Sequence, residues 1–297
     1  MSHSAVQQRS WSGLGLVGFA YVIAHLVAYA VVQAMAGAHP MAVVTAADLA
    51  ATLAVFIFSR AFNNSSFYDA YWSVAPATVA LWLALGPGSV AGLTLRQGVV
   101  LALVGLYAAR LTFNWARGWD GLTHEDWRYV DLRKKTGKLY WVVSLVGLHV
   151  MPTVMVLLGL IPLHAALVVN PGGFGVIDVI AAVVTLAAIV IETVADEQLR
   201  NFRQKKREDG EICTVGLWGW SRHPNYFGEI SFWFGLFLFG IAAGAPWWSG
   251  VGFVAMIGLF AGASIPMAEK RSLMRRPHYA EHQRRVSMIV PWFPKKS

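Results

Sequence analysis

Arg222, His223, Asn225, Tyr226 and Glu229 crowd into one short run (WGWSRHPNYFGE, 218–229) placed against the start of an apolar segment. An arginine fork grips phosphate or carboxylate, an asparagine amide reads hydroxyls or another amide, and a carboxyl group at membrane depth is costly unless it has a task. Pro224 disfavours helical geometry at His223 and can itself open a helix, so Arg222 and His223 should stay in a turn while Asn225 to Glu229 begin the helix. Asn225 and Glu229 are four apart and share one face, and Gly228 leaves room for a close approach. The competing reading is an interfacial loop with its Arg and aromatic residues among lipid headgroups.

Two further polar stripes need positioning. Glu192, Asp196 and Arg200 fall at steps of four, with Arg203 three further on, at the end of an otherwise apolar segment. Tyr107, Arg110 and Asn114 form a second stripe inside another apolar segment. Self-neutralising ion pairs at a helix end, or a snorkelling arginine, are the alternatives. Between the fourth and fifth segments, residues 118–129 (GWDGLTHEDWRY) read as an interfacial cap, and Glu269, Lys270, Arg271, Arg275 and Arg276 end the last helix, followed by Tyr279, Arg284 and Arg285. The cations suit phospholipid headgroups or a phosphorylated nucleotide, whose hydroxyls carboxylates can bind and whose rings aromatics can stack.

The elements that must hold these groups are apolar helices. With 297 residues, 56% of them hydrophobic and 13% charged, and a mean hydropathy of +0.51, the chain reads as an all-α, polytopic membrane protein. Spans need roughly 20 apolar residues each, and candidates lie at 12–36, 42–60, 73–90, 96–117, 139–163, 174–200, 226–244 and 247–268. Seven or eight spans form one integral-membrane domain over 1–297, in which 100–297 supplies cofactor-binding helices and loops and 1–99 contributes to a substrate cavity. The first apolar segment is too long for a signal-peptide core and is expected to stay. Basic residues cluster after the fourth, sixth and last segments, Lys206 and Arg207 among them, whereas 163–174 and 244–249 hold no Lys or Arg. Those basic regions and the C-terminus are therefore expected in the cytoplasm; Arg96 does not fit. The net charge of +8 is read as a membrane feature, with no nucleic-acid partner and no obligate protein partner. Cys213 is alone, so neither an intramolecular disulfide nor a thiolate metal cluster is available; His25, His149 and His164 stand isolated, and no metal site is expected.

The corner Ser221 to Glu229, together with Asp196 to Arg203, Gly210-Glu211-Ile212, Leu111 to Trp115, His124 to Tyr129 and the tail from Tyr279 to Trp292, resembles the membrane steroid 5-alpha-reductase-like proteins, bacterial branch. The sterol C14 and delta-7 reductases share a similar corner. This resemblance covers about 100–297 and implies an NADPH-dependent reductase of a carbon–carbon double bond conjugated to a ketone, typically in a 3-oxo-delta-4 steroid or another hydrophobic enone. It implies an integral-membrane setting, the bacterial inner membrane or the endoplasmic reticulum, with the cofactor site facing the cytoplasm. On that view Asp196, Arg200, Arg203, Asn225 and Glu229 sit at cofactor positions, with Glu192, Arg110, Asn114, Arg222, His223, Tyr226, Arg271 and Tyr279 around them, and Tyr107 donates a hydrogen bond to the ketone. Hydride addition builds charge on that oxygen, so such a donor lowers the barrier. The Gln-Glu pair of the animal enzymes is absent; Asp48 and Asp69 are the acids upstream of Tyr107, and Asp69 is expected to serve as the second catalytic group. Alternatives are a methyltransferase resembling the isoprenylcysteine carboxyl methyltransferases, which bind S-adenosylmethionine through a similar corner, and a non-catalytic sterol- or lipid-binding protein.

Overall fold

The computed structural model describes residues 3–86, 92–205 and 210–295, with side chains from Ser12 onward. Residues 87–90 of the third expected span, and Lys206 and Arg207 of the basic region, lie outside the described residues. Among the described residues the regular elements are all helices, joined by turns and extended connections, with one isolated parallel bridge between Ser221 and Ser287.

Long apolar runs make the helices, and their ends carry ordinary stop signals. α1 (His3–Ala34) is followed by α2 (Pro40–Ala61), which opens on proline at its first position. A short 3₁₀ turn, Ser65–Tyr68, is buried within the bundle and leads to α3 (Tyr71–Leu85). α4 (Leu95–Ala116) starts in a capping box, where Thr94 Oγ1 accepts from the Gln97 amide and Gln97 Oε1 accepts from the Thr94 amide. The amphipathic α5 (Trp127–Thr136) is capped by Asp126. One helical run then covers 140–169, through α6 (Tyr140–Val143), a π-helical turn (Ser144–Val150), α7 (Met151–His164) and a second π turn (Ala165–Val169). α8 (Val176–Gln204) and α9 (Pro224–Ala242) follow. A last run, α10 (Val251–Leu259), a π turn (Phe260–Ser264) and α11 (Ile265–Arg275), ends before the short α12 (Tyr279–Arg285).

Six of these runs are long and apolar enough to cross a membrane: Ser12–Ala34, Pro40–Ala61, Leu95–Ala116, Trp127–Val169, Val176–Gln204 and Trp247–Arg275. This is the architecture of an integral multi-pass membrane protein. α3 and α9, which match the third and seventh expected segments, fall outside that set. α3 has fifteen described residues, and α9 carries Asn225 and Glu229 into a largely buried helix. The main core joins α3, α4, α7, α8 and α9, with Leu160, Phe232, Leu236 and Phe239 fully buried. A second core joins α1, α2, the 3₁₀ turn and α3.

α8 and α9 make the most extensive helix pair, and glycine makes it possible. A Cβ on Gly228 would lie 2.7 Å from Glu192 Cβ and 2.9 Å from the Ala188 carbonyl oxygen, and one on Gly235 would collide with Thr185. Small residues let backbones approach where lipid gives no hydrophobic drive for association.

Arg96, the exception to the charge pattern, is a buried strut. Its guanidinium pairs with Asp178 through two bonds, at 2.6 and 2.9 Å, and donates to the carbonyls of Asn170, Gly172, Gly173 and Ala242. It thereby ties the start of α4 to the connections before α8 and after α9. Removing one member of such a pair leaves the other charge buried and uncompensated, at a cost of about 3–5 kcal/mol. Asp178→Ala should therefore lower the thermal unfolding midpoint in detergent sharply, while the double replacement Arg96→Met/Asp178→Leu should recover part of the loss.

Candidate functional site

The two polar stripes meet between α4, α8 and α9. Arg110 on α4 bridges two acids of α8, with Nη2 at 2.7 Å from Glu192 Oε1 and Nη1 at 3.0 Å from Asp196 Oδ2. Asn114, one turn further on, donates to the same Asp196 oxygen at 3.0 Å, and Asn225 on α9 donates to Asp196 Oδ1 at 3.4 Å. Tyr107, with no exposed surface, donates its hydroxyl to Glu229 at 2.7 Å, and the Trp233 indole donates to the same carboxyl oxygen at 2.9 Å. The Tyr107 ring stacks on Phe232 at a centroid separation of 3.8 Å, which fixes the hydroxyl's aim. Arg117 extends the network, to Asn114 and to Glu197 at 2.6 Å.

This cluster has one guanidinium, that of Arg110, among three carboxyl groups, those of Glu192, Asp196 and Glu229. Two of its acceptors, Glu192 Oε2 and Asn225 Oδ1, are buried without a protein partner. Arg110 Nε is likewise buried without a partner; buried polar atoms are ordinarily paired, so these open groups mark where polar atoms of a bound molecule can fit. Arg200 stands half-buried and Arg203 exposed toward the end of α8, placed for charge further out.

The corner itself is built as its sequence implies, with α9 opening at Pro224 and His223 left in a non-helical conformation. Its basic residues, however, turn away from the cluster. Arg222 Nε pairs with Glu269 at 2.7 Å, and its Nη1 donates to the carbonyls of Gln283 and Val286, both at 2.7 Å. His223 Nε2 lies 3.2 Å from the same Glu269 oxygen, and its ring stacks on Tyr226. Ser221 hydroxyl donates to Ile289 O at 2.7 Å, the Arg222 amide to Ser287 O and the Trp292 amide to Trp220 O. Arg222 and His223 thus hold the C-terminal tail against the start of α9. Tyr279 packs its buried ring near His282, and Arg271 lies over the Trp127 ring at 4.0 Å, joining α11 to α5.

Asp69 is not placed with Tyr107. Its carboxyl accepts from the Tyr129 hydroxyl of α5 at 2.5 Å, which fastens the interfacial helix to the bundle. The other acid, Asp48 on α2, is buried; its Oδ1 accepts from Tyr71 of α3 at 2.7 Å and its Oδ2 has no protein partner. Next to Tyr71, Trp72 packs against both cores, and Ser73 hydrogen-bonds Thr112, which lies on α4 between Arg110 and Asn114. Tyr71 itself belongs to the second core, and α3 joins it to α4 through Ser73. An acid inside an apolar helix was the sequence signal of Asp48; the tyrosine partner, 23 residues away, carried none.

The chain is thus an all-helical, multi-pass membrane protein with a buried Arg–carboxylate–Tyr cluster. The chain belongs to the family described as "Protein of unknown function (DUF1295)", which matches residues 55–286 and lies in the steroid 5-alpha-reductase-like superfamily. It is similar to an uncharacterized protein of Schizosaccharomyces pombe, 28% identical over 254 residues that cover 77% of this chain and 73% of the yeast protein. No solved structure gives a significant match.

The Asp69 contact carries a pH signature. Burial pushes its carboxyl up to about 6, partly opposed by the Tyr129 hydrogen bond and the nearby Arg128 charge. An unfolded aspartate titrates near 3.9, so between these values the folded chain binds more protons than the unfolded one. This stabilising contribution is full below about pH 4 and falls as pH rises through about 6. Thermal midpoints measured from pH 4 to 8 should show that decline, and Asp69→Asn should flatten it.

Proposed function

We propose that this protein is a membrane oxidoreductase that reduces a carbon–carbon double bond conjugated to a ketone in a hydrophobic substrate, a 3-oxo-delta-4 steroid being the expected class, with NADPH as reductant. The observation that supports this reading is the set of buried polar atoms without a hydrogen-bond partner in one cluster, the acceptors Asn225 Oδ1 and Glu192 Oε2 and the donor Arg110 Nε. Asn225 suits a carboxamide, Glu192 and Asp196 suit ribose hydroxyls, and Arg200 and Arg203 further along α8 suit phosphates. When bound, NADPH supplies the hydride.

The chain's own residues would do the rest. Glu229, held by Tyr107 and Trp233, fixes the wall of the nicotinamide end, so Tyr107 serves first as a positioning residue. The acid available to the ketone would be Asp48: Tyr71 donates to its Oδ1, and a proton on Oδ2, which has no protein partner, would be the donor to an oxygen that gains negative charge. Transfer of that proton to the enolate would complete the reduction, and the Asp48 carboxylate would then be reprotonated from water.

A second reading rests on the charge of the cluster. Three carboxyl groups around one guanidinium favour a cationic ligand, and the sulfonium of S-adenosylmethionine is one, which fits a methyltransferase. The two readings separate in one experiment, titration of the purified protein in detergent with NADPH and with S-adenosylmethionine. Micromolar NADPH binding, weakened about tenfold by Asn225→Ala, supports the reductase; binding of S-adenosylmethionine alone supports the methyltransferase; binding of neither leaves a lipid-binding scaffold. With NADPH and progesterone, testosterone or androstenedione, cofactor oxidation is expected. Asp48→Asn and Tyr71→Phe should slow it about a hundredfold or more with little change in NADPH binding. Tyr107→Phe should alter both, and absent oxidation with all three steroids would rule out the steroid assignment.

A further inference from the structure

The tail that closes the corner carries more charge and more exposed apolar surface than its stitching uses. Lys270 and Arg275 on α11, Arg284 and Arg285 on α12, and Lys295 in the tail are all exposed. Glu269 and Glu281, the acids of residues 265–295, do little to offset them. Glu269 is taken by Arg222 and Gln283. Glu281 meets Arg285 only at 3.8 Å, between side chains about half exposed, and such a pair contributes little. Among the described residues, Lys270, Arg275 and Lys295 have no ion-pair partner.

Apolar and aromatic side chains lie exposed among these cations. Leu273 and Met274 precede Arg275 on α11, and Met288, Val290, Trp292 and Phe293 follow α12. The Phe293 ring meets that of Trp220, itself about half exposed, just before Pro224 opens α9. The fold also sets where this surface lies. α11 ends the run Trp247–Arg275, which is long and apolar enough to cross a membrane. Met288 lines a recess of about 530 Å³ with Ala261, Ile265 and Pro266 of that run, and Lys270 stands in the same lining. The tail is therefore folded back beside a membrane-crossing run. Exposed tryptophan beside Lys and Arg at the end of such a run is the composition of a membrane–water interface.

We infer that this face binds anionic phospholipid, with its cations on the headgroup phosphates and its tryptophan, phenylalanine and methionine side chains among the upper acyl chains. Charge selects the lipid class. A zwitterionic headgroup brings its own ammonium to its phosphate, whereas phosphatidylglycerol leaves that negative charge for Lys and Arg. The apolar side chains select lipid over a free anion, because inorganic phosphate would leave Trp292 and Phe293 in water. Arg222 joins this face to the entry of α9, through its bonds to the Gln283 and Val286 carbonyls. Lipid that binds only the folded tail therefore stabilises tail and corner together. None of these cations belongs to the α4–α8–α9 cluster, so the inference does not rest on the reductase reading.

The test uses the full-length protein in phosphatidylcholine nanodiscs with increasing phosphatidylglycerol. By electron paramagnetic resonance, spin-labelled phosphatidylglycerol should be restricted by the protein about twofold or more in preference to spin-labelled phosphatidylcholine. The thermal midpoint should rise with phosphatidylglycerol content. Arg275→Gln/Arg284→Gln/Arg285→Gln should bring the two labels to nearly equal restriction and remove that rise; where this variant does not fold, Lys270→Gln/Lys295→Gln should lower the same preference. Removing the same charge at α5 and the turn after it, by Lys134→Gln/Lys135→Gln/Lys138→Gln, should leave most of the preference intact. Inorganic phosphate should displace the label no better than chloride at equal ionic strength. Equal restriction of both labels by the unaltered protein, or an equal loss in the tail and α5 variants, would reduce the effect to general surface charge and overturn the site. Specific displacement by inorganic phosphate would overturn it in favour of a free-anion site.

Discussion

Arg110 is the group on which the centre of this protein depends. It pairs directly with carboxyl groups that two different residues of α8 push into the bundle, and Asp196 passes the connection on to Asn114 and Asn225. A charge that leaves water needs partners on several sides, so one guanidinium sets the register of α4 against α8, and through Asp196 the register of α9. Glycines 228 and 235 make the same arrangement sterically possible, since a side chain at either would hold α9 off α8. Electrostatics and packing here specify one geometry, and the open acceptors at Glu192 and Asn225 exist because that geometry is rigid without them.

Much of this was legible in the chain itself. Pro224 announced the start of α9, the steps of three and four placed Tyr107, Arg110 and Asn114 on one face, and Glu192 and Asp196 read as a second face. Those are local features, governed by helical period and by proline. What could not be read were contacts set by tertiary packing. Arg222 looked like an anion ligand by type and position, yet its donors meet Glu269 and the carbonyls of the tail. Asp69 was preferred over Asp48 as the second acid, and only the fold gives the first to Tyr129 and the second to Tyr71. Arg96 seemed an exception to the positive-inside pattern because a charge tally does not distinguish a solvated arginine from one consumed by Asp178 and four carbonyls.

The two ends of the bundle solve the same problem by different means. At the Arg96 end, exposed carbonyls of broken connections are gathered by one long cationic side chain. At the corner end the connections are longer and charged, so ion pairs and a cation–π contact between Arg271 and Trp127 hold α5 and α11 together. The interior between them is divided into two apolar cores that share Trp72, and Tyr107 of the polar cluster belongs to the one that joins α3, α4, α7, α8 and α9.

The stitching of the C-terminal tail to residues 220–222 bears on how the protein comes into being. Ser287, Ile289 and Trp292 supply or satisfy backbone and hydroxyl groups at the corner, and Glu269 and Gln283 complete it. Residues 269–292 are made after α9, so the entry to that helix stays unfinished until they have been added, and formation of α9 and completion of its corner are separate events in time.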